Sequence, residues 1–205
     1  FAQSEKAIAL AKNSNSPVFL LVKKDTFEKK SIEKESLDGL SREDAIIGIT
    51  KKLNEDHLIV STTGMPSREL YEFRKTENLG NHRDFLTVGG MGHASQISLG
   101  LAKTQKVKQV FCFDGDGAAI MHLGSFAIIG QSDASNLVHI LLNNGVHDSV
   151  GGQPTVGKKI NFCKIASSCG YKSANRIENF ESLNDILKSY EEKPGPHFLE
   201  VIIKP

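Results

Sequence analysis

The residues best suited to chemistry fall in two short runs. Asp114-Gly115-Asp116-Gly117-Ala118 follows the apolar stretch Val110-Phe111-Cys112-Phe113, and Asn143-Asn144-Gly145 follows the apolar stretch from Leu137 to Leu142. Glycines on either side of Asp116 let the backbone turn tightly and come close to a ligand. The Asp116 carboxylate and the Asn144 side-chain carbonyl are hard oxygen donors of the kind magnesium takes. A helix opening at Ala118 would aim unsatisfied N–H groups at a phosphate held by that metal. Together the two runs have the makings of a metal–diphosphate cradle. Two other readings of the first run fail on spacing. A calcium loop counted from Asp114 needs a glutamate where Ser125 stands. A dinucleotide fingerprint on Gly115 and Gly117 needs a glycine where Ile120 stands.

These runs need elements that bring them together. From Ser41 onward, strands and helices alternate. Ser41 is a good N-cap with Asp44 three residues on, and Ala45, Ile46, Ile49 and Leu53 recur at helical spacing. Strands are predicted at Leu58–Ser61, Phe85–Val88, Gln109–Phe113, Leu137–Leu142 and Phe198–Ile203. Helices are predicted at 67–74, 93–103, 118–130, 162–168 and 182–190. Near-continuous apolar strands separated by helices imply an α/β fold: a doubly wound, mainly parallel sheet with helices on both faces. In such sheets ligands bind beyond the carboxyl ends of the strands, which is where both chemical runs lie. Ahead of this unit, a short helix over 4–12 and a buried strand at Pro17–Val22 are too little for a core of their own. The Glu-, Lys- and Ser-rich stretch over 27–37 reads as a solvated linker. The expected organisation is therefore residues 1–30 as the end of a preceding domain, 31–40 as linker and 41–205 as the main domain.

The bulk numbers narrow the function classes. With 205 residues there is room for one well-buried domain and a remnant of another. Lys and Arg total 25 against 24 Asp and Glu, so no general field draws in nucleic acid or an anionic membrane, and a small-molecule function is expected. Cys112, Cys163 and Cys169 form no Cys-x-x-Cys pair, which fits reduced thiols in a cytoplasmic protein. No apolar run is long enough to span a bilayer. The opening Phe1-Ala2-Gln3-Ser4-Glu5-Lys6 has neither an initiator Met nor the apolar core of a signal peptide, and the chain is expected to begin inside a longer protein.

Gly115-Asp116-Gly117, then 25 residues, then Asn143-Asn144, resembles the signature of thiamine-diphosphate-dependent enzymes. The resemblance implies that Asp116, the Asn144 side chain and the backbone carbonyl of Val146 ligate Mg2+, with Gly115, Gly117 and Ala118 beside the cofactor's diphosphate. Val88-Gly89-Gly90-Met91-Gly92 is similar to the family's loop that props thiamine diphosphate in its bent shape. By that likeness Met91 is the apolar wedge, flanked by Gly90, and the Gly89 carbonyl accepts from the aminopyrimidine. Ser61-Thr62-Thr63-Gly64 resembles the diphosphate-contacting turn, with Thr63 and Gly64 as contacts.

The narrowest likeness is to phosphonopyruvate decarboxylases, in Asn143 to Thr155, Ser61 to Leu70 and Gly89 to Leu101. It covers roughly 41–205, with residues 1–30 similar to the closing helix and strand of a pyrimidine-binding domain. Met65-Pro66 departs from relatives that carry Lys or a hydroxyl residue, so the resemblance implies no polar role at position 65. The resemblance implies a non-oxidative carboxy-lyase acting on 3-phosphonopyruvate in a homo-oligomer, with its activating glutamate on a pyrimidine-binding domain of the same or a neighbouring subunit. His147, in the loop after Asn144, is the candidate catalytic side chain, whereas His93 and His122 read as structural. Sulfopyruvate decarboxylase is the enzymatic alternative. A non-catalytic diphosphate- or nucleotide-binding module is the alternative of another class.

Overall fold

The computed structural model describes residues 2–27 and 39–205. The chain divides into two units, Phe1–Ser36 and Leu37–Pro205. Most of the expected linker lies outside the described residues. In the first unit, helix α1 runs Ala2–Ser14 and buries none of its side chains. The strand expected at Pro17–Val22 does not form: the segment joins no sheet, and Phe19 and Leu21 stand 86% and 90% exposed. A β-strand is stabilised by its ladder, and the described residues offer this segment no neighbour.

The second unit follows the expected alternation: α2 (Arg42–Thr50), β1 (Leu58–Ser61), α3 (Met65–Thr76), β2 (Asp84–Leu86), α4 (Ala94–Thr104) and β3 (Val110–Gly115). Then come α5 (Asp116–Met121), α6 (Ser125–Gly130), β4 (Leu137–Asn143), β5 (Val146–His147) and β6 (Gln153–Pro154). The chain closes with α7 (Phe162–Cys169), β7 (Ser173–Ile177), α8 (Leu183–Glu192) and β8 (His197–Ile202). Ser41 caps α2 as expected, its hydroxyl oxygen accepting from the Asp44 N–H at 3.0 Å.

Six strands make one wholly parallel sheet in the order β2-β1-β3-β4-β8-β7. Strand alternation divides its side chains between two cores. Ile59, Phe111, Phe113, Val138, Ile140 and Leu142 meet α2, α3 and α8 on one face. Val60, Val110, Cys112, Leu137 and Leu141 meet α4, α6 and α7 on the other. This is the expected doubly wound architecture.

Three details differ from the sequence expectations. The helix expected over 118–130 starts earlier, at Asp116, and breaks at His122–Gly124 into α5 and α6. Gly124 is a weak helix former, and the Ser125 hydroxyl donates to the His122 carbonyl at 2.6 Å, taking up an acceptor that a continuous helix would have used. Strand β7 was not expected, because Ser173-Ala174-Asn175-Arg176-Ile177 is largely polar. At the sheet edge it pairs only with β8. The hairpin β5–β6 was also unexpected and spans only two residue pairs.

Candidate functional site

The order of strands fixes where a ligand can sit. From β1 the chain moves to β2 on one side, whereas β3 lies on the other, so the connections leaving β1 and β3 diverge and open a crevice at their carboxyl ends. A cavity of about 100 Å³ lies there, lined by residues that include Thr62, Thr63, Met91, Asp116, Asn144 and His147. The structure thus brings the ends of β1, β3 and β4 and the loop before α4 to one place. Of the sequence-selected residues, Thr63, Met91, Gly115, Asp116, Gly117, Ala118, Asn144, Val146 and His147 line this cavity. Gly64, Gly89 and Gly90 flank it without lining it.

Asp116 opens α5 and is 2% exposed. Burial raises its pKa, against the opposing pull of the Thr155 hydroxyl, the backbone N–H groups of Asp116 and Gly117, and the His147 imidazole. None of these partners is a Lys or Arg. Asn144 sits 6% exposed just past β4, and its side-chain carbonyl accepts from the Val146 N–H at 3.1 Å, which ties two of the three sequence-selected metal ligands together. A Cβ at Gly117 would lie 2.5 Å from His147 Cε1 and 3.4 Å from Met91 Cε. Only glycine leaves room there for the imidazole and the thioether to converge on the floor of the cavity. Behind Met91, Gly89, Gly90 and Gly92 all have positive φ, at 74°, 57° and 84°. The Gly89 N–H donates to Thr63 Oγ1 at 3.0 Å, joining this loop to the end of β1.

The donors present fit a divalent cation. A buried carboxylate with no Lys or Arg among its partners is costly unless a positive charge arrives. The side-chain oxygen of Asn143, 0% exposed, likewise finds no donor among the described residues. A different cluster, Cys112, Asp114 and His139, also has metal-ligand residue types within 4.8 Å of one another. There, however, His139 Nδ1 meets the Tyr171 hydroxyl at 3.0 Å and Nε2 meets Asp114 at 3.2 Å, all in the packed interior behind the sheet. Burial pushes the Cys112 thiol well up.

His93 and His122, expected to be structural, lie with their rings 4.5 Å apart beside the glycine loop. Thr155 and Gly157, not among the sequence-selected residues, pack directly on Asp116. The glycine-rich run from Gly151 to Gly157, so soon after Asn144, was the available signal.

Residues 62–201 match the family model for the thiamine pyrophosphate enzyme, C-terminal TPP binding domain. The chain belongs to this family. Phosphonopyruvate decarboxylase of Streptomyces viridochromogenes is 37% identical over 161 residues, which is 78% of this chain but 39% of that protein. The beta subunit of sulfopyruvate decarboxylase from Methanocaldococcus jannaschii is 36% identical over 163 residues, 79% of this chain and 81% of that subunit. Among solved structures, the X-ray structure of a candidate thiamin diphosphate-dependent enzyme from Mycobacterium smegmatis superposes with a TM-score of 0.67 over 82% of this chain and 32% of that one. Its 20% identity speaks for the fold. This TPP-binding domain thus spans well under half of the phosphonopyruvate decarboxylase and most of the sulfopyruvate decarboxylase beta subunit.

Proposed function

We propose that this domain holds the diphosphate end of thiamine diphosphate, through Mg2+, in a decarboxylase of short anionic 2-oxo acids, with 3-phosphonopyruvate as substrate. The observation that carries this reading is the convergence of Asp116, Asn144 and Val146 with Met91 and His147 on one cavity at the switch point of the sheet. Asp116, the Asn144 side-chain carbonyl and the Val146 backbone carbonyl would hold the cation. Thr63, Gly64 and the glycines about Asp116 would face the diphosphate, and Met91, on the Gly89–Gly92 loop, would support the body of the cofactor. When bound, thiamine diphosphate supplies the nucleophilic carbon and the electron sink for loss of CO2. The C1–C2 bond of the 2-oxo acid breaks, CO2 leaves, and a proton added at C2 gives phosphonoacetaldehyde. His147, whose imidazole lies against Gly117, is the side chain of this domain assigned to hold that proton. A pyrimidine-binding domain of the same or a neighbouring subunit contributes the activating glutamate.

Sulfopyruvate is the second reading, favoured by the 81% coverage of a beta subunit. Decarboxylation assays on the full protein, or on this chain with its partner subunit, separate the two. A higher kcat/KM for 3-phosphonopyruvate supports the first reading and a higher value for sulfopyruvate supports the second. No magnesium-dependent release of CO2 from either contradicts both. A generic nucleotide-binding module would instead bind ADP with Mg2+ about as well as thiamine diphosphate.

A further inference from the structure

The Asp116 carboxylate is held from outside its own loop. The Thr155 hydroxyl donates to Asp116 Oδ2. The same hydroxyl oxygen accepts from the Gly157 N–H at 3.0 Å. An N–H can only donate, so the hydroxyl hydrogen is directed to the carboxylate. Thr155 is itself fixed, its N–H donating to the Gly145 carbonyl at 2.8 Å. Behind it, Asn143 Nδ2 donates to the Gly157 carbonyl at 3.1 Å and to Glu200 Oε1 at 2.7 Å. Glu200 is 1% exposed, on the last strand of the sheet. Gly157 approaches so closely that a Cβ there would lie 2.4 Å from Asp116 Oδ2 and 2.8 Å from Asn143 Oδ1. One carboxylate oxygen is therefore engaged and the space beside it filled by backbone, which sets the direction of the carboxylate.

We propose that Thr155 is a positioning residue for divalent-cation binding: its hydroxyl orients the Asp116 carboxylate, and Gly157, Asn143 and Glu200 fix the segment that carries it. This inference rests on the proposed magnesium site at Asp116 and Asn144. Hydrogen-bond partners of metal-ligating carboxylates typically contribute 10–100-fold to metal affinity, and a preset direction lowers the ordering required when the cation arrives. Thr155 therefore acts through Asp116 and does not itself line the cavity.

The test measures the Mg2+ concentration giving half-maximal binding of thiamine diphosphate, by calorimetry on the full protein carrying this chain, alongside the unfolding temperature without ligand. Thr155→Val removes the hydroxyl at constant size and is expected to raise that concentration at least about tenfold while the unfolding temperature stays near wild type. Thr155→Ser restores the wild-type value, which a purely structural role of the side chain would not require. A wild-type Mg2+ requirement in Thr155→Val overturns the proposal, and if Asp116→Ala abolishes binding in the same series, the metal site itself stands. A wild type with no magnesium-dependent binding overturns both. Should Thr155→Val fail to fold, Thr155→Cys replaces it. Its thiol is a weak donor, so an unchanged Mg2+ requirement there overturns the proposal equally.

Discussion

Gly117 and His147 are the two residues whose chemistry is most exposed to experiment. A methyl group at position 117 would fall 2.5 Å from His147 Cε1 and force the imidazole into the space proposed for the cofactor, yet it sits in a helix that an alanine favours. Gly117→Ala is therefore expected to weaken thiamine diphosphate binding about tenfold, near 1.4 kcal/mol, with little loss of stability. Titration calorimetry and thermal unfolding on the same sample check both halves of that expectation. His147→Gln keeps the volume and loses the proton-transfer capacity. It should lower kcat about 100-fold with cofactor affinity unchanged, and an unchanged kcat would remove His147 from the proton path. The two donors Asp116 and Asn144 were legible in the sequence because each directly follows an apolar strand, so the fold class alone brings them to one end of the sheet. Thr155 and Glu200 were not. Their roles depend on partners 39 and 57 residues away, and a threonine in a turn and a glutamate in an apolar strand carry no local mark of them.

At the scale of elements, the contact between α6 and α7 is set by a glycine. A Cβ on Gly130 would lie 2.2 Å from the Cys169 carbonyl oxygen, which is backbone and cannot swing aside. Gly130→Ala should therefore destabilise the domain by about 1–3 kcal/mol through overpacking. In a domain of this size that lowers the unfolding temperature by roughly 2–4 °C per kcal/mol. An unchanged unfolding temperature would mean that α6 and α7 can separate at no cost. The central strands were readable because Val110–Phe113 and, His139 apart, Leu137–Leu142 are apolar on both faces, as strands covered on both sides must be. Strand β7 was missed for the complementary reason. It has a single neighbour in the sheet and keeps polar Ser173, Asn175 and Arg176, so neither a continuous apolar run nor a clean alternation marks it. The break between α5 and α6 was missed because its helical periodicity continues across Gly124.

For the molecule as a whole, pH acts through buried histidine. His197 is 2% exposed and stacks on Tyr190 at 4.5 Å. Its Nε2 donates to the Lys193 carbonyl at 2.9 Å, and the Ser173 hydroxyl pairs with Nδ1 at 2.8 Å. Burial lowers its pKa, with the nearby Lys193 charge acting in the same direction and the hydrogen bond to the Lys193 carbonyl opposing both. The unfolded chain takes up the proton near the ordinary imidazole value of about 6.5, whereas the fold resists it until lower pH. Stability is thus complete above that ordinary value and falls as pH drops through it, with a slope of at most about 1.4 kcal/mol per pH unit for this one site, until the lowered folded value is passed. Denaturant unfolding between pH 8 and 5 should show the decline, and His197→Gln should reduce it, leaving the part due to His57, whose pKa burial also lowers.

Among the described residues no helix is long and apolar enough to cross a membrane. The sequence placed both chemical runs in one doubly wound unit, and the order of strands adds what it could not: the switch point beside β1 where the cavity opens.

Asp116 and Asn144 are proposed to hold a magnesium–diphosphate unit in that cavity. Calorimetric titration of thiamine diphosphate into the full protein, with and without Mg2+ and against Asp116→Ala, tests it most directly. The expected result is saturable binding that requires Mg2+, is lost in Asp116→Ala, and is not reproduced by ADP with Mg2+. Binding of equal strength without the metal, or in Asp116→Ala of unchanged stability, would contradict it.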